Sequence, residues 1–247
     1  MARPGRIAPE VQTTGRTAPG RALRGRRPPG APLTRERILA TALALIERDG
    51  LAAFSIRGLG AALGCEPMSI YHYFPSKGHL LDALVDRVIA EFATRPPPGD
   101  PIARLRQMLY SWRALAHRYP KLFQLLATHR LNTPTGARVI DEVMALVRDA
   151  VPDVREAAQW FRVLSYYVTG AALDETAGYA KGPSAAEPVS DAYVALHCPY
   201  LAAAAPYFKE PWWNSTFELG IESLLDVLRT RAEAAVATPK PVIRPKR

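Results

Sequence analysis

Apolar residues recur along most of this chain at intervals of three and four, with no alternating stretch of useful length, so the pattern predicts an all-α protein. Ile38, Ala42, Leu45 and Ile46 mark one face of a first helix between Thr34 and Gly50. Ser55 follows as an N-cap, a residue whose hydroxyl can accept from an unpaired backbone N–H of the next helical turn. Ile56, Leu59, Ala62 and Leu63 continue at helical spacing. Gly64 then stands where helices end in a left-handed residue, and Pro67 where a fixed φ and a missing N–H suit a first helical position. One helix therefore stops and another starts within about three residues, which sets the two at a steep angle, as in a helix-turn-helix that lays its second helix in the DNA major groove. The second helix runs from Pro67 to Phe74, with Ile70 and Phe74 as core, and a fourth from Ser76 to about Phe92.

Arg95-Pro-Pro-Pro-Gly-Asp-Pro101 must interrupt any helix, because proline cannot donate to the ladder and biases its predecessor toward extended geometry. It marks a boundary between a domain over residues 34–93 and a helical one over 102–237. Helices are expected over 102–118, 122–127, 135–150, 154–177, 190–204 and 213–234, with Pro199 kinking the fifth. Residues 154–177 and 213–234 are the most apolar around their circumference. Two readings of that stay open: a fully buried monomer core, or a face reserved for a partner helix pair.

Composition alters this picture at one point. The net charge of +9 suggests a nucleic-acid binder. Residues 1–33, however, hold seven Arg against Glu10 alone, and residues 238–247 hold Lys240, Arg244, Lys246 and Arg247 without an acid. These Pro- and Gly-rich ends lack a hydrophobic period, are expected to be disordered, and account for the whole excess, so the body between them is nearly neutral. The tails either attract phosphate without regard to sequence or simply solubilise the chain, and the motif, not the charge, points to DNA. No apolar run approaches the roughly 18 residues of a membrane span, and the N-terminus lacks a secretory apolar core, so a cytoplasmic protein is expected. Cys65 and Cys198 stand alone, without metal-ligand or disulfide spacing, and no metal or cofactor is expected.

Gly64, Cys65, Glu66, Ile70, Tyr71, Tyr73, Phe74 and Lys77, with the helices on either side, resemble the recognition region of the TetR family of bacterial one-component repressors over about 60 residues. The resemblance implies an N-terminal three-helix DNA-binding domain followed by a helical domain that binds a small molecule and pairs two subunits. It implies a dimer reading a roughly palindromic DNA operator and released by an effector, with activation or corepression as alternatives. The DNA contacts it suggests are Arg57, Pro67, Met68, Ser69, Tyr71, His72, Tyr73 and Lys77: Arg57 for phosphate or guanine, Met68, Ser69 and His72 for base edges, Pro67 for apolar contact, and Tyr71, Tyr73 and Lys77 for phosphate. Three departures from the family pattern stand out. Tyr73 replaces the common His, Glu66 the usual Ser or Thr cap, and Gly58 and Gly60 each cost the first motif helix roughly 1 kcal/mol relative to Ala.

Apolar and aromatic positions with polar handles make Met108, Trp112, His117, Phe123, His129, Met144, Trp160, Leu164 and Tyr167 candidates for the effector pocket, and suggest a largely apolar effector. Gly170, Ala171, Phe217, Ile221, Leu224, Leu225 and Leu228 are the candidates for a homodimer interface. Catalysis is not expected. Asp174 and Glu175 are neighbours about 100° apart on a helix, and no nucleophile–base or metal-ligand spacing occurs. A helical protein-interaction adaptor without sequence-specific DNA contact remains the rival class.

Overall fold

The computed structural model describes residues 32–92, 99–129, 131–177 and 185–237, with side chains as far as 234. The expected basic arm and tail lie outside the described residues except for Pro32 and Leu33, as does most of the proline-rich boundary segment. The described body falls within one compact unit, Leu33–Arg247. Among the described residues there are α-helices and two short 3-10 turns, and no strand.

The first helix, α1 (Arg35–Asp49), starts where the Thr34 hydroxyl accepts from the Arg37 N–H, and buries Ile38, Leu39, Ala42, Leu43 and Ile46. The next, α2 (Ile56–Leu63), is capped by Ser55, whose hydroxyl accepts from the Gly58 N–H at 3.1 Å. It ends at Gly64, whose φ of 72° and ψ of 31° lie in the left-handed region that a side chain resists. Gly60 is equally constrained, because a Cβ there would meet the Cys65 carbonyl oxygen at 2.9 Å. The helix penalty of that glycine thus secures a turn folded tightly against α2.

The recognition helix α3 (Pro67–Tyr71) is shorter than expected. Its continuation to Phe74 is a turn in which the N–H groups of Tyr73 and Phe74 both donate to the Ile70 carbonyl, at 2.9 and 3.0 Å. Pro75 then ends the segment. The following helix, α4 (Lys77–Phe92), closes the head over Ile70, Phe74, Leu80 and Leu84, all essentially inaccessible.

The second part comprises α5 (Pro101–Arg118), α6 (Pro120–Thr128), α7 (Pro134–Ala150), α8 (Val154–Thr176), α9 (Asp191–His197), α10 (Pro199–Ala204) and α11 (Trp213–Ala237). Helices α5, α7, α8 and α11 pack around a common core. Pro199 breaks its segment instead of kinking it. Cys198 takes φ −130° and ψ 60°, outside the helical region that a following proline disfavours, and α9 and α10 separate there.

Head and body are fastened by polar contacts at helix ends. The Glu47 carboxylate accepts from the backbone N–H groups of Lys121 and Leu122, at 3.3 and 2.8 Å, and so caps α6 from α1. Lys121 reciprocates through Nζ to the Arg48 carbonyl. Asp86 accepts from the Thr133 hydroxyl, Tyr119 donates to Glu91 at 3.0 Å, and His129 lies 3.0 Å from Asp82. No helix among the described residues is long and apolar enough to cross a membrane.

Candidate functional site

The motif presents Arg57, Met68, Tyr71, His72 and Tyr73 as exposed side chains, with Pro67 and Ser69 half-buried beside them. Met68 is 66% exposed, a large apolar side chain left in water on the first turn of the recognition helix. Glu66 precedes that helix without a side-chain capping bond, so its contribution is a negative charge near the helix N-terminus. Tyr73 and Lys77 are engaged within the chain. The Tyr73 hydroxyl donates to the Leu33 carbonyl at 2.6 Å, while Arg35 donates to the Tyr73 carbonyl at 3.2 Å and lies over the Phe74 ring. Lys77 donates through Nζ to the Phe54 carbonyl at 2.7 Å and sits over the Phe54 ring. Both side chains therefore staple the recognition segment to the start of α1 and to the loop before α2. Cys65, in the turn, is half-buried, and burial pushes its thiol above the ordinary value.

In the body, two cavities flank a buried ion pair. Arg113 on α5 and Glu175 on α8 are among the most enclosed charges, their residues only 9% and 6% exposed. Arg113 donates from Nε and Nη2 to the two Glu175 oxygens at 2.8 and 3.0 Å, and from Nη1 to Asn214 Oδ1 at 2.9 Å. His117 Nε2 lies 2.7 Å from Glu175 Oε2, and the Arg113 guanidinium stacks over Phe217. The larger cavity, about 590 Å³, is bounded by Tyr110, Arg113, His117, Glu210, Trp213 and Asn214, among others. The smaller, about 400 Å³, is bounded by Tyr166, Tyr167, Asp174, Glu175, Trp213 and Phe217. The pair stands between them, and Trp213 faces both. Burial, followed by the nearby Glu218 and Glu222, raises the Tyr110 phenol above its ordinary value.

Comparison with known proteins matches residues 38–84 to the description "Bacterial regulatory proteins, tetR family" and residues 94–232 to "Tetracyclin repressor-like, C-terminal domain". The second match alone spans more than half of the chain. The chain belongs to the TetR family of transcriptional regulators. It is 31% identical over 145 residues to the HTH-type transcriptional repressor DrrR1 of Streptomyces coeruleorubidus, covering 58% of this chain and 54% of that repressor, about half its length. It is 27% identical over 204 residues to the Escherichia coli tetracycline repressor protein class A from transposon 1721, covering 78% of this chain and 89% of that one. Among solved structures it is similar to the Streptomyces coelicolor TetR family protein ActR in complex with actinorhodin, with a TM-score of 0.63, 28% identity, and coverage of 82% and 99%.

Within this TetR-family body the expected pocket residues separate into two groups. His117 and Tyr167 border the cavities. Met108, Phe123 and Leu164 are buried in packing, and Trp112 is wedged edge-on between Phe92 and Phe123 while donating to the Thr169 hydroxyl at 3.2 Å. Met144 and Trp160 pack against the same core, and His129 pairs with Asp82. The cluster read as a pocket is thus filled by its own side chains.

The expected interface residues divide likewise. Phe217, Ile221, Leu225 and Leu228 are buried within the single chain, and Leu224 and Ala171 are half-buried. Gly170 faces open space. The close approach of α8 and α11 occurs instead at Gly220, where a side chain would run into Tyr167. A periodic apolar stripe shows that a helix face is covered but not by what, and here α5, α7 and α8 cover it. Among the described residues, the large apolar side chains still open on these helices are Val154, Val163, Tyr166, Leu219 and Val227.

Arg113, Trp213 and Asn214 were not among the sequence candidates for a site. A signal did exist. Arg113 falls in phase with Leu105 and Leu109 on the buried stripe of α5, and Glu175 in phase with Leu164, Val168 and Ala172 on that of α8. A charge in register with a core stripe announces a buried partner.

Proposed function

We propose that this TetR-family regulator is a dimeric repressor that reads a two-fold symmetric operator and leaves it when a small molecule occupies the helical body. The carrying observation is the exposed set Arg57 on α2, Met68 on α3 and His72 just past its end, with the two helices joined by the tight turn at Gly64. Ser69 joins them at the edge of the recognition helix. These side chains offer guanidinium, thioether, imidazole and hydroxyl groups suited to phosphates and base edges. Tyr73 and Lys77 set the pose of the recognition segment, and the basic arm adds sequence-independent attraction to phosphate.

Pairing occurs through the outward faces of α8 and α11, where Tyr166 and Leu219 are 63% and 72% exposed. A dimer places recognition helices about 34 Å apart, in successive major grooves. Release follows if the effector prefers a conformation whose heads are wrongly spaced, and only by that differential affinity. The helix-end contacts from α6 and α7 to α1 and α4 give a movement in the body a mechanical route to the head. The actinorhodin complex of ActR supports an effector site in this body, and on this reading the regulator acts on DNA in the cytoplasm.

Sedimentation of the free chain, followed by footprinting of the DNA flanking its own gene, tests this reading. A dimer protecting one short symmetric site is expected. A monomer, or protection without a defined boundary, contradicts it.

A further inference from the structure

The wall of the larger cavity has a composition that selects ligands by charge. Arg113 carries five N–H groups, three of which are taken by Glu175 and Asn214, so two remain. Because Asn214 Oδ1 is the acceptor for Arg113, the amide presents its NH₂ as a donor. His117 donates from Nε2 to the Glu175 carboxylate, so Nδ1 of that tautomer faces a ligand as an acceptor. Tyr110 and Trp213 supply aromatic surface from α5 and α11. The site therefore offers donors from Arg113 and Asn214 and an acceptor from His117 between aromatic walls.

Its charge is already balanced. Glu175 answers Arg113 with both oxygens, so an anionic ligand finds no unpaired cation. Drawing Arg113 away would strand a carboxylate that is only 6% exposed. A cation would have to approach the Arg113 guanidinium. What remains is a neutral molecule with acceptor oxygens.

We propose that the cavity beside Arg113, Asn214 and His117 takes a neutral, flat aromatic ligand that presents carbonyl oxygens to Arg113 and Asn214 and a hydroxyl to His117. The cavity lies within the range of small-molecule sites, and its donors replace the water that such oxygens lose on entry. The proposal rests on the reading that this body holds the effector, and names its chemistry. It differs from the largely apolar effector expected from the sequence, because the hydrogen-bonding wall rejects a ligand that leaves those groups unmet.

Three flat three-ring probes of different charge test it by tryptophan-fluorescence titration of the full chain: neutral danthron, its carboxylate analogue rhein, and cationic proflavine. Danthron should bind at least tenfold more tightly than either of the others. Asn214→Ala and His117→Ala should each weaken it several-fold at a temperature where denaturant titration shows the variant folded, with ligand-free operator affinity unchanged. Tighter binding of rhein or proflavine overturns the proposal. So does indifference of danthron to both substitutions, or no saturation up to its solubility limit. A parallel titration of operator-bound protein separates the two readings: danthron that binds through Asn214 without displacing DNA leaves the ligand class standing and removes ligand release.

Discussion

The reading head and the helical body use charge in opposite ways. The head leaves Arg57 and His72 in water and binds Arg35 and Lys77 to backbone carbonyls, and none of its described charged residues is buried. The body encloses Arg113 and Glu175 against each other beside a cavity. Head side chains can therefore be changed at little cost to folding, and their loss should appear in DNA affinity. The body's charges are coupled to stability, and their loss should appear first in folding.

The sharpest way to break this contrast is Glu175→Ala, which leaves the Arg113 guanidinium buried without its carboxylate. It should lower stability by about 3–5 kcal/mol in denaturant titration. Replacing the pair together, Glu175→Leu with Arg113→Met, should recover most of that loss, because well-packed apolar side chains are often neutral or stabilising in place of an ion pair. If the single substitution costs no more than a surface change, the pair is not what holds α5 to α8.

Next in size, Arg57→Ala and His72→Ala should each cost about 1–3 kcal/mol of operator affinity in a gel-shift titration, with Tm unchanged. A fall in Tm comparable to that of Glu175→Ala would erase the distinction between the regions. Glu47→Ala crosses between them. Removing the cap it provides to α6 should cost about 1 kcal/mol of stability by thermal melting, and uncouple head from body more than it weakens either.

Tyr73→Phe removes only the hydroxyl bond to Leu33, about 1 kcal/mol of stability net, and should weaken operator and scrambled DNA equally. A selective loss on the operator would instead make Tyr73 a base reader. The smallest effect is alkaline. Burial is the leading cause that raises the phenols of Tyr110, Tyr119 and Tyr167 above the ordinary value of 10.0. Above that pH the unfolded chain loses these protons before the folded one does, so the folded state binds more protons and stability declines as pH rises. Tyr110→Phe should shallow that decline.

The head was legible in the sequence because its determinants are local. Ser55, Gly64 and Pro67 fix two helix ends within one short segment, and family resemblance carries the exposed side chains onto it. The length of α3 was not legible, since Ile70 accepts two bonds in a closing turn that periodicity continues as helix. The body's helices were readable from the same periodicity, but its site was not. The cavity is assembled from α5, Glu210 and the start of α11, with Glu175 at the end of α8 holding Arg113 in its wall, all distant in sequence, and the residues with the most suggestive chemistry, Trp112 and Phe123, pack on each other. What periodicity leaves open is which neighbour covers a stripe, and that decided both the cavity and the free face of α11.

On the proposed reading, a few exposed side chains of the motif choose a DNA site. The direct measurement is affinity at fixed salt for an operator recovered by selection from random duplexes, against a scrambled duplex, for the wild-type chain and for Ser69→Ala with His72→Ala. A specificity ratio of about 10³ or more is expected for the wild type, falling at least tenfold in the double variant while scrambled-DNA affinity stays the same. Equal affinity for operator and scrambled duplex, or a ratio untouched by the double substitution, would contradict the account.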